Sequence, residues 1–177
     1  DAIPYAIVDR VIRGRAQERM AERCVEVASA SGLTVLREYP VERYRRFELD
    51  RSLPGALVNG SGIPAVTLEV GPRRRVDPRA VEVAFHAVVG ILSSMWMARQ
   101  PAPLHPTRRA DGVWRRDSGP RTGRNGLLIP LLSPGDSFTR GQPLVEVRGL
   151  GGDVREVLRA PSRGFMVALT ERTHIAL

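Results

Sequence analysis

S-G-I-P-A-V-T-L-E-V-G-P-R-R-R, Ser61 to Arg75, is apolar from Ile63 to Val70 except at Thr67 and Glu69, and three arginines follow almost at once. With Gly62 before it and Gly71-Pro72 after, 64–70 reads as a strand. Side chains alternate along a strand, so Ala65, Thr67 and Glu69 share one face and Val66, Leu68 and Val70 the other. The bulky face is ordinary core. The second face is small, then small and polar, then ionic, and it opens towards the carboxyl end of the strand, where open α/β sheets bind ligands. A carboxylate buried there needs a hydrogen bond, a cation or a metal beside it. Two readings of Glu69 stay open on these grounds: a strand-end charge, and a catalytic acid or base.

Upstream of this stretch, residues 14–31 read as an amphipathic helix. Ala16, Met20, Cys24, Val27 and Ala28 fall at helical spacing, arginine and glutamate alternate on the other side, and Gly32 supplies a stop. Residues 33–36 form a short strand candidate, 41–50 stays open between classes, and 51–58 reads as a short helix ending near Asn59-Gly60. Downstream, Asp77-Pro78 is a helix start, with a capping acceptor followed by proline at the first helical position. That helix is expected to reach about Arg99, burying Val81, Phe85, Val88, Val89, Leu92 and Met95. His86 falls towards its more polar side and reads as a surface histidine.

Pro101, Pro103 and Pro106 mark 101–107 as a linker, which also holds a solvated His105. Beyond it the chain changes character. G-L-L-I-P-L-L-S-P-G-D, R-G-Q-P-L-V-E-V, G-G-D-V-R-E-V-L-R-A-P and R-G-F-M-V-A-L are short apolar runs separated by glycine and proline turns, the pattern of a small all-β barrel or sandwich. The expected organisation is therefore an α/β part over 1–100, the linker, and a β-domain over 108–177.

Composition narrows the chemistry. All 27 basic residues are arginine, against 19 acids, for a net charge of +8. Without lysine the chain supports no Schiff base and no lipoyl or biotinyl attachment. The arginines are dispersed among acids with few aromatics to stack on bases, so they read as a solvated surface favouring anionic ligands and not as a nucleic-acid interface. No apolar run is long and charge-free enough to cross a bilayer, so no membrane role is expected. The single cysteine, Cys24, rules out an intramolecular disulfide, fits a reducing cytoplasm, and sits on the apolar stripe of its helix as a small core residue.

G-I-P-A-V-T-L-E-V-G-P, Gly62 to Pro72, resembles the signature of the succinylglutamate desuccinylase/aspartoacylase family, zinc-dependent deacylases related in fold to the zinc carboxypeptidases. D-A-I-P-Y-A-I-V-D resembles the segment just after that family's D-L-H zinc ligand, and the tail from Val113 its C-terminal β-domain. The resemblance implies the C-terminal part of a zinc-carboxypeptidase-like α/β/α sheet domain, followed by a small barrel-sandwich domain that is incomplete at its end. It implies a small N-acyl amino acid as substrate, zinc polarising the acyl carbonyl and acidifying its bound water, and Glu69 as general base and acid. The family's H-x-x-E pair and later histidine have no counterpart here. His86, His105 and His174 do not occupy ligand-motif positions. Zinc is therefore expected in the intact enzyme and not on this chain, which should hydrolyse nothing alone.

Three other readings stand beside this one. They are a carboxypeptidase-like amidase acting on peptides, a barrel used as a gate or oligomerisation surface, and a non-catalytic arginine-rich anion-binding module. Oligomeric state, a homo-oligomer included, stays open.

Overall fold

Apolar tetrapeptides and helix-period segments alternate through the first part of the chain, and the backbone follows them. The computed structural model describes residues 2–14, 17–72, 75–99, 109–170 and 174–175. They divide into two units, Pro4–Asp117 on one side and Asp1–Ile3 with Ser118–Leu177 on the other.

The first unit runs β1 (Tyr5–Val8), α1 (Gln17–Ala30), β2 (Thr34–Arg37), α2 (Val41–Arg46), α3 (Leu53–Ala56), β3 (Val66–Glu69), α4 (Pro78–Ser94) and β4 (Val113–Arg115). Its sheet has the order β3-β1-β2-β4. β1 is parallel to β2 and β2 to β4, whereas β3 runs antiparallel to β1. The open segment 41–50 proves helical over α2, followed by a 3₁₀ turn at Leu49–Arg51.

One face of the sheet carries the core. Ala6, Val8 and Val35 pack with Cys24 and Ala28 of α1 and with Val83 and Ala87 of α4. Val66, Leu68 and Val70 lie against the same cluster, so the bulky face of β3 is core as its alternation requires; Ala65, expected on the other face, also packs on the core because it precedes the strand. Cys24 is fully buried there, and burial raises its thiol pKa, partly offset by a backbone hydrogen bond at Ala65. An inert packing residue is the result.

β3 is bracketed by left-handed glycines, Gly62 at φ 66° and Gly71 at φ 85°. A side chain at either would strain the turns that start and stop the strand. Asn59 anchors the segment before it. Its amide donates to the Arg10 and Gly55 carbonyls at 2.9 and 3.0 Å, and its Oδ1 accepts from the Ile12 N–H at 2.7 Å.

Helix α4 begins as expected, with Asp77 Oδ1 accepting from the Arg79 and Ala80 amides. Its buried side differs from the expectation. Val83 and Ala87 are buried and Val89 is buried as expected, whereas Val81, Phe85 and Val88 are exposed, Phe85 by 60%. The helix lies close to the turn after β3: a Cβ on Gly71 would stand 2.9 Å from the Ala80 Cβ. That approach selects the side holding Ala80, Val83, Ala87 and Gly90 and turns the bulkier stripe outward.

The helix also stops early, at Ser94 and not near Arg99. Trp96 takes a left-handed conformation, φ 61°, and its N–H reaches the Ser93 carbonyl while the Met97 N–H reaches Leu92. These are the closing bonds of a helix C-terminus usually made by glycine.

The linker expected at 101–107 lies outside the described residues. The first unit extends past it to Asp117, because β4 pairs with β2 and the Arg116 N–H continues the ladder to the Arg37 carbonyl at 2.8 Å.

In the second unit β5 (Gly126–Pro130), β7 (Pro143–Arg148), β8 (Val154–Arg159) and β10 (His174–Ile175) form an antiparallel sheet of order β10-β5-β7-β8. β6 (Ser137–Phe138) pairs with β9 (Gly164–Phe165). Leu144, Val147 and Ala160 are its buried centre. Residues 2 and 3 associate with this unit, through an Ala2–Ala168 bridge and an Ile3 N–H bond to the Val167 carbonyl.

The exposed, left-handed Trp96 makes a simple test. Trp96→Gly should raise stability by about 1 kcal/mol in denaturant unfolding, since a left-handed non-glycine residue costs about 1–2 kcal/mol. On the same helix Val83→Ala should cost about 2 kcal/mol, and Phe85→Ala less than about 1 kcal/mol.

Candidate active site

Glu69 ends β3 and is exposed. The register places it directly opposite Tyr5, the first residue of β1, with Thr67 opposite Ile7. Cross-strand partners share a face, so Tyr5, Glu69 and Thr67 stand together on the side away from the core cluster. The Tyr5 phenol pKa is raised, by burial first and then by the Glu69 carboxylate, with the Arg116 charge opposing. A phenol held neutral beside a carboxylate keeps its proton and remains a donor. The exposed carboxylate keeps access to water.

Because β3 opposes β1, its carboxyl end lies at the amino end of β1. The carboxyl-end rule therefore points in two directions in this sheet. β1, β2 and β4 end at the opposite edge from Glu69.

That opposite edge carries polar groups on the same face as Tyr5 and Glu69. Asp9 and Glu38 follow the parallel strands β1 and β2 and are only 8% and 5% exposed. Tyr44, 0% exposed on α2, donates its hydroxyl to Asp9 Oδ1 at 2.7 Å. Arg116 donates to Glu38 Oε1 at 2.6 Å, and its guanidinium lies 5.0 Å from the Tyr39 ring centre, with Arg43 at 5.2 Å. Asp9 has a raised pKa, through burial above all, with the Tyr44 hydrogen bond opposing and the Glu38 charge adding to the rise. Burial and the same bond raise the Tyr44 phenol. This network ties α2 and β4 to the sheet. Its members are hydrogen-bonded to one another, which makes it a structural tie more than a reaction centre.

His86 is half-buried on α4 with its ring edge-on to Phe85, His174 is exposed on β10 in the other unit, and His105 lies outside the described residues. Arg75 is exposed, and Arg73 and Arg74 also fall outside the described residues. Among the described residues no group of three His, Cys, Asp or Glu side chains stands together as metal ligands. The described residues therefore do not fit a zinc site, which needs three or four such ligands. Among them, too, no helix is long and apolar enough to cross a membrane.

Tyr5 is the neighbour that sequence reasoning missed. Its pairing with Glu69 joins strands far apart in the chain, and no spacing rule reveals it.

No family model and no curated protein matches the sequence. Solved structures do match: the fold is that of one half of the succinylglutamate desuccinylase/aspartoacylase proteins. One from Rhodobacter sphaeroides superposes with a TM-score of 0.74 and 16% identity, covering 99% of this chain and 51% of that one. A succinylglutamate desuccinylase from a Silicibacter species gives 0.71 at 16% identity, over 99% of this chain and 50% of that one. The ectoine utilization protein EutE (DoeB) of Ruegeria pomeroyi, solved with product bound, gives 0.71 at 16% identity, over 99% and 51%. The chain thus spans about half the length of the structures it matches, and at this identity the likeness is one of fold.

The buried Asp9 has a measurable consequence. A carboxyl group whose folded pKa lies above its unfolded value binds its proton more tightly when folded, so stability falls as pH rises from the ordinary aspartate range through the raised value. Asp9→Asn removes that fall and keeps an acceptor for Tyr44. Its melting temperature should exceed the parent's at neutral pH, and the difference should shrink below about pH 4. Tyr44→Phe should instead cost about 1–3 kcal/mol, because it strips Asp9 of its donor.

Proposed function

We propose that these residues are the carboxyl-terminal part of a hydrolase that removes an acyl group from a small N-acyl amino acid, with Glu69 as its general base and acid. The observation that carries the proposal is T-L-E-V-G-P, Thr67 to Pro72, ending an edge strand with an exposed carboxylate, in a chain whose fold matches half of the succinylglutamate desuccinylase/aspartoacylase structures. Under this reading Pro4–Asp117 is the end of a zinc-carboxypeptidase-like sheet domain, and the antiparallel unit is its barrel-sandwich domain.

The proton work follows from the position of Glu69. Its carboxylate takes a proton from the attacking water as the new C–O bond forms at the acyl carbon. It then returns that proton to the nitrogen as the C–N bond breaks, so the amine departs neutral. Tyr5, kept protonated beside it, adds a hydrogen-bond donor without adding a second negative charge. Zinc in the intact enzyme would be held by residues outside those described, and the proton transfers of Glu69 require no metal ligand from among them.

Edge strand β3 and the outward stripe of α4 suit a sheet that continues beyond β3, as the doubled length of the matched structures suggests. In an enzyme that joins these residues to a complete zinc ligand set, Glu69→Gln should lower kcat by about 10²–10⁴-fold. Zinc content by elemental analysis should stay unchanged. Full turnover in that variant, or loss of zinc with activity retained, overturns the assignment. The 177-residue chain alone should neither hydrolyse N-acyl amino acids nor bind stoichiometric zinc.

A further inference from the structure

The parallel strands β1, β2 and β4 end side by side, and their last positions share a face. Arg37 is the cross-strand partner of Arg115 on one side and of Val8 on the other. Arg10 follows Val8 by two residues and returns towards the same side. Like charges directly opposite each other in a sheet are destabilising. The usual remedy is an interleaved acid, and here the acids are engaged elsewhere. Glu38 pairs with Arg116, Asp9 accepts from Tyr44, and Asp117 pairs with Arg43 at 3.4 Å. Among the described residues the side chains of Arg37 and Arg115 form no ion pair or hydrogen bond.

Arg10 is held in place from behind. Its Nε lies 2.9 Å from the Glu38 carbonyl oxygen and 2.8 Å from that of Tyr39, which orients the guanidinium and leaves its terminal nitrogens for another acceptor. Its pKa is lowered, by burial first and then by the charges of Arg37 and Arg115, with Glu38 opposing. Arg10, already fixed, thus stands within the field of Arg37 and Arg115, which are themselves cross-strand partners.

We infer that Arg10, Arg37 and Arg115 form a binding site for a multiply charged oxyanion, a phosphate or a small dicarboxylate, at the carboxyl end of the parallel strands. Planar guanidinium forks match the oxygen geometry of both groups, and the carboxyl edge of parallel strands is where open α/β sheets take ligands. A dianion offsets most of the triad's charge, whereas a monoanion leaves two charges in repulsion. The site lies at the opposite end of the sheet from Glu69, so it does not rest on the hydrolase reading and the two can fail separately.

The test is thermal melting and titration calorimetry of the 177-residue chain with inorganic phosphate and with succinate, using chloride at equal ionic strength as reference. At least one oxyanion should raise the melting temperature saturably beyond chloride, and the tighter of the two identifies the source of the ligand. Arg37→Gln and Arg115→Gln should each weaken binding by about tenfold, the worth of one charge-assisted contact. Arg79→Gln, at the amino end of α4 beside the turn after β3 and so at the other end of the sheet, should leave it unchanged. Without anion, Arg115→Gln should raise the melting temperature by about 1–4 °C as the repulsion is relieved. No saturable effect from either anion overturns the site, as does binding that survives both substitutions. A mixed oligonucleotide bound more tightly than phosphate, and insensitive to Arg37→Gln, would replace the site with a general polyanion surface.

Discussion

Strand β1 is hydrogen-bonded along both edges, in parallel to β2 and antiparallel to β3, and its residues from Ala6 to Val8 are buried. Such a strand requires cover on both faces, because a sheet exposes apolar side chains on either side unless helices pack against them. α1 and α4 cover one side through Cys24, Ala28, Val83 and Ala87. On the other, Tyr44 of α2 binds Asp9 at the end of β1. The opposed directions of its two neighbours then set the functional geography: β3 delivers Glu69 to the amino end of β1, while β2 and β4 finish at its carboxyl end.

The carboxyl end separates charge across the sheet. Asp9 and Glu38 lie on the face of Tyr44 and Arg116 and are satisfied there, so their burial is compensated. Arg10, Arg37 and Arg115 occupy the other side without carboxylate partners among the described residues. A one-residue step along a strand changes the face, which is why acidic and basic neighbours such as Arg37 and Glu38 enter different networks. In a chain with 27 arginines, average charge conceals this. Most ion pairs among the described residues are surface contacts of little worth, as between Arg23 and Glu26, whereas Arg116–Glu38 is buried on the acid side.

Helix α4 shows how the helical period can be legible while its phase is not. Val81, Phe85 and Val88 have the spacing of a buried stripe, yet the helix buries Val83 and Ala87 on another side and, of the expected set, only Val89 is buried. Both stripes satisfy the same period. The choice was made by the close approach of Gly71 to Ala80, a contact between elements that no window of sequence contains. The end of α4 was hidden for a related reason, since Trp96 occupies a left-handed position that sequence reasoning assigns to glycine.

What the sequence by itself determined is local. Alternation in Val66–Glu69 separated core side chains from Glu69, Asp77-Pro78 started α4, and Cys24 fell on the buried stripe of α1. Glycine and proline turns also marked the antiparallel tail before any pairing was visible. Tertiary structure alone decided which residue faces Glu69, which end of the sheet its strand reaches, and which arginines stand abreast. Strand order and direction are set by pairings between distant segments, whose energies depend on packing and on burial across the sheet. The residues within any one segment do not encode them separately.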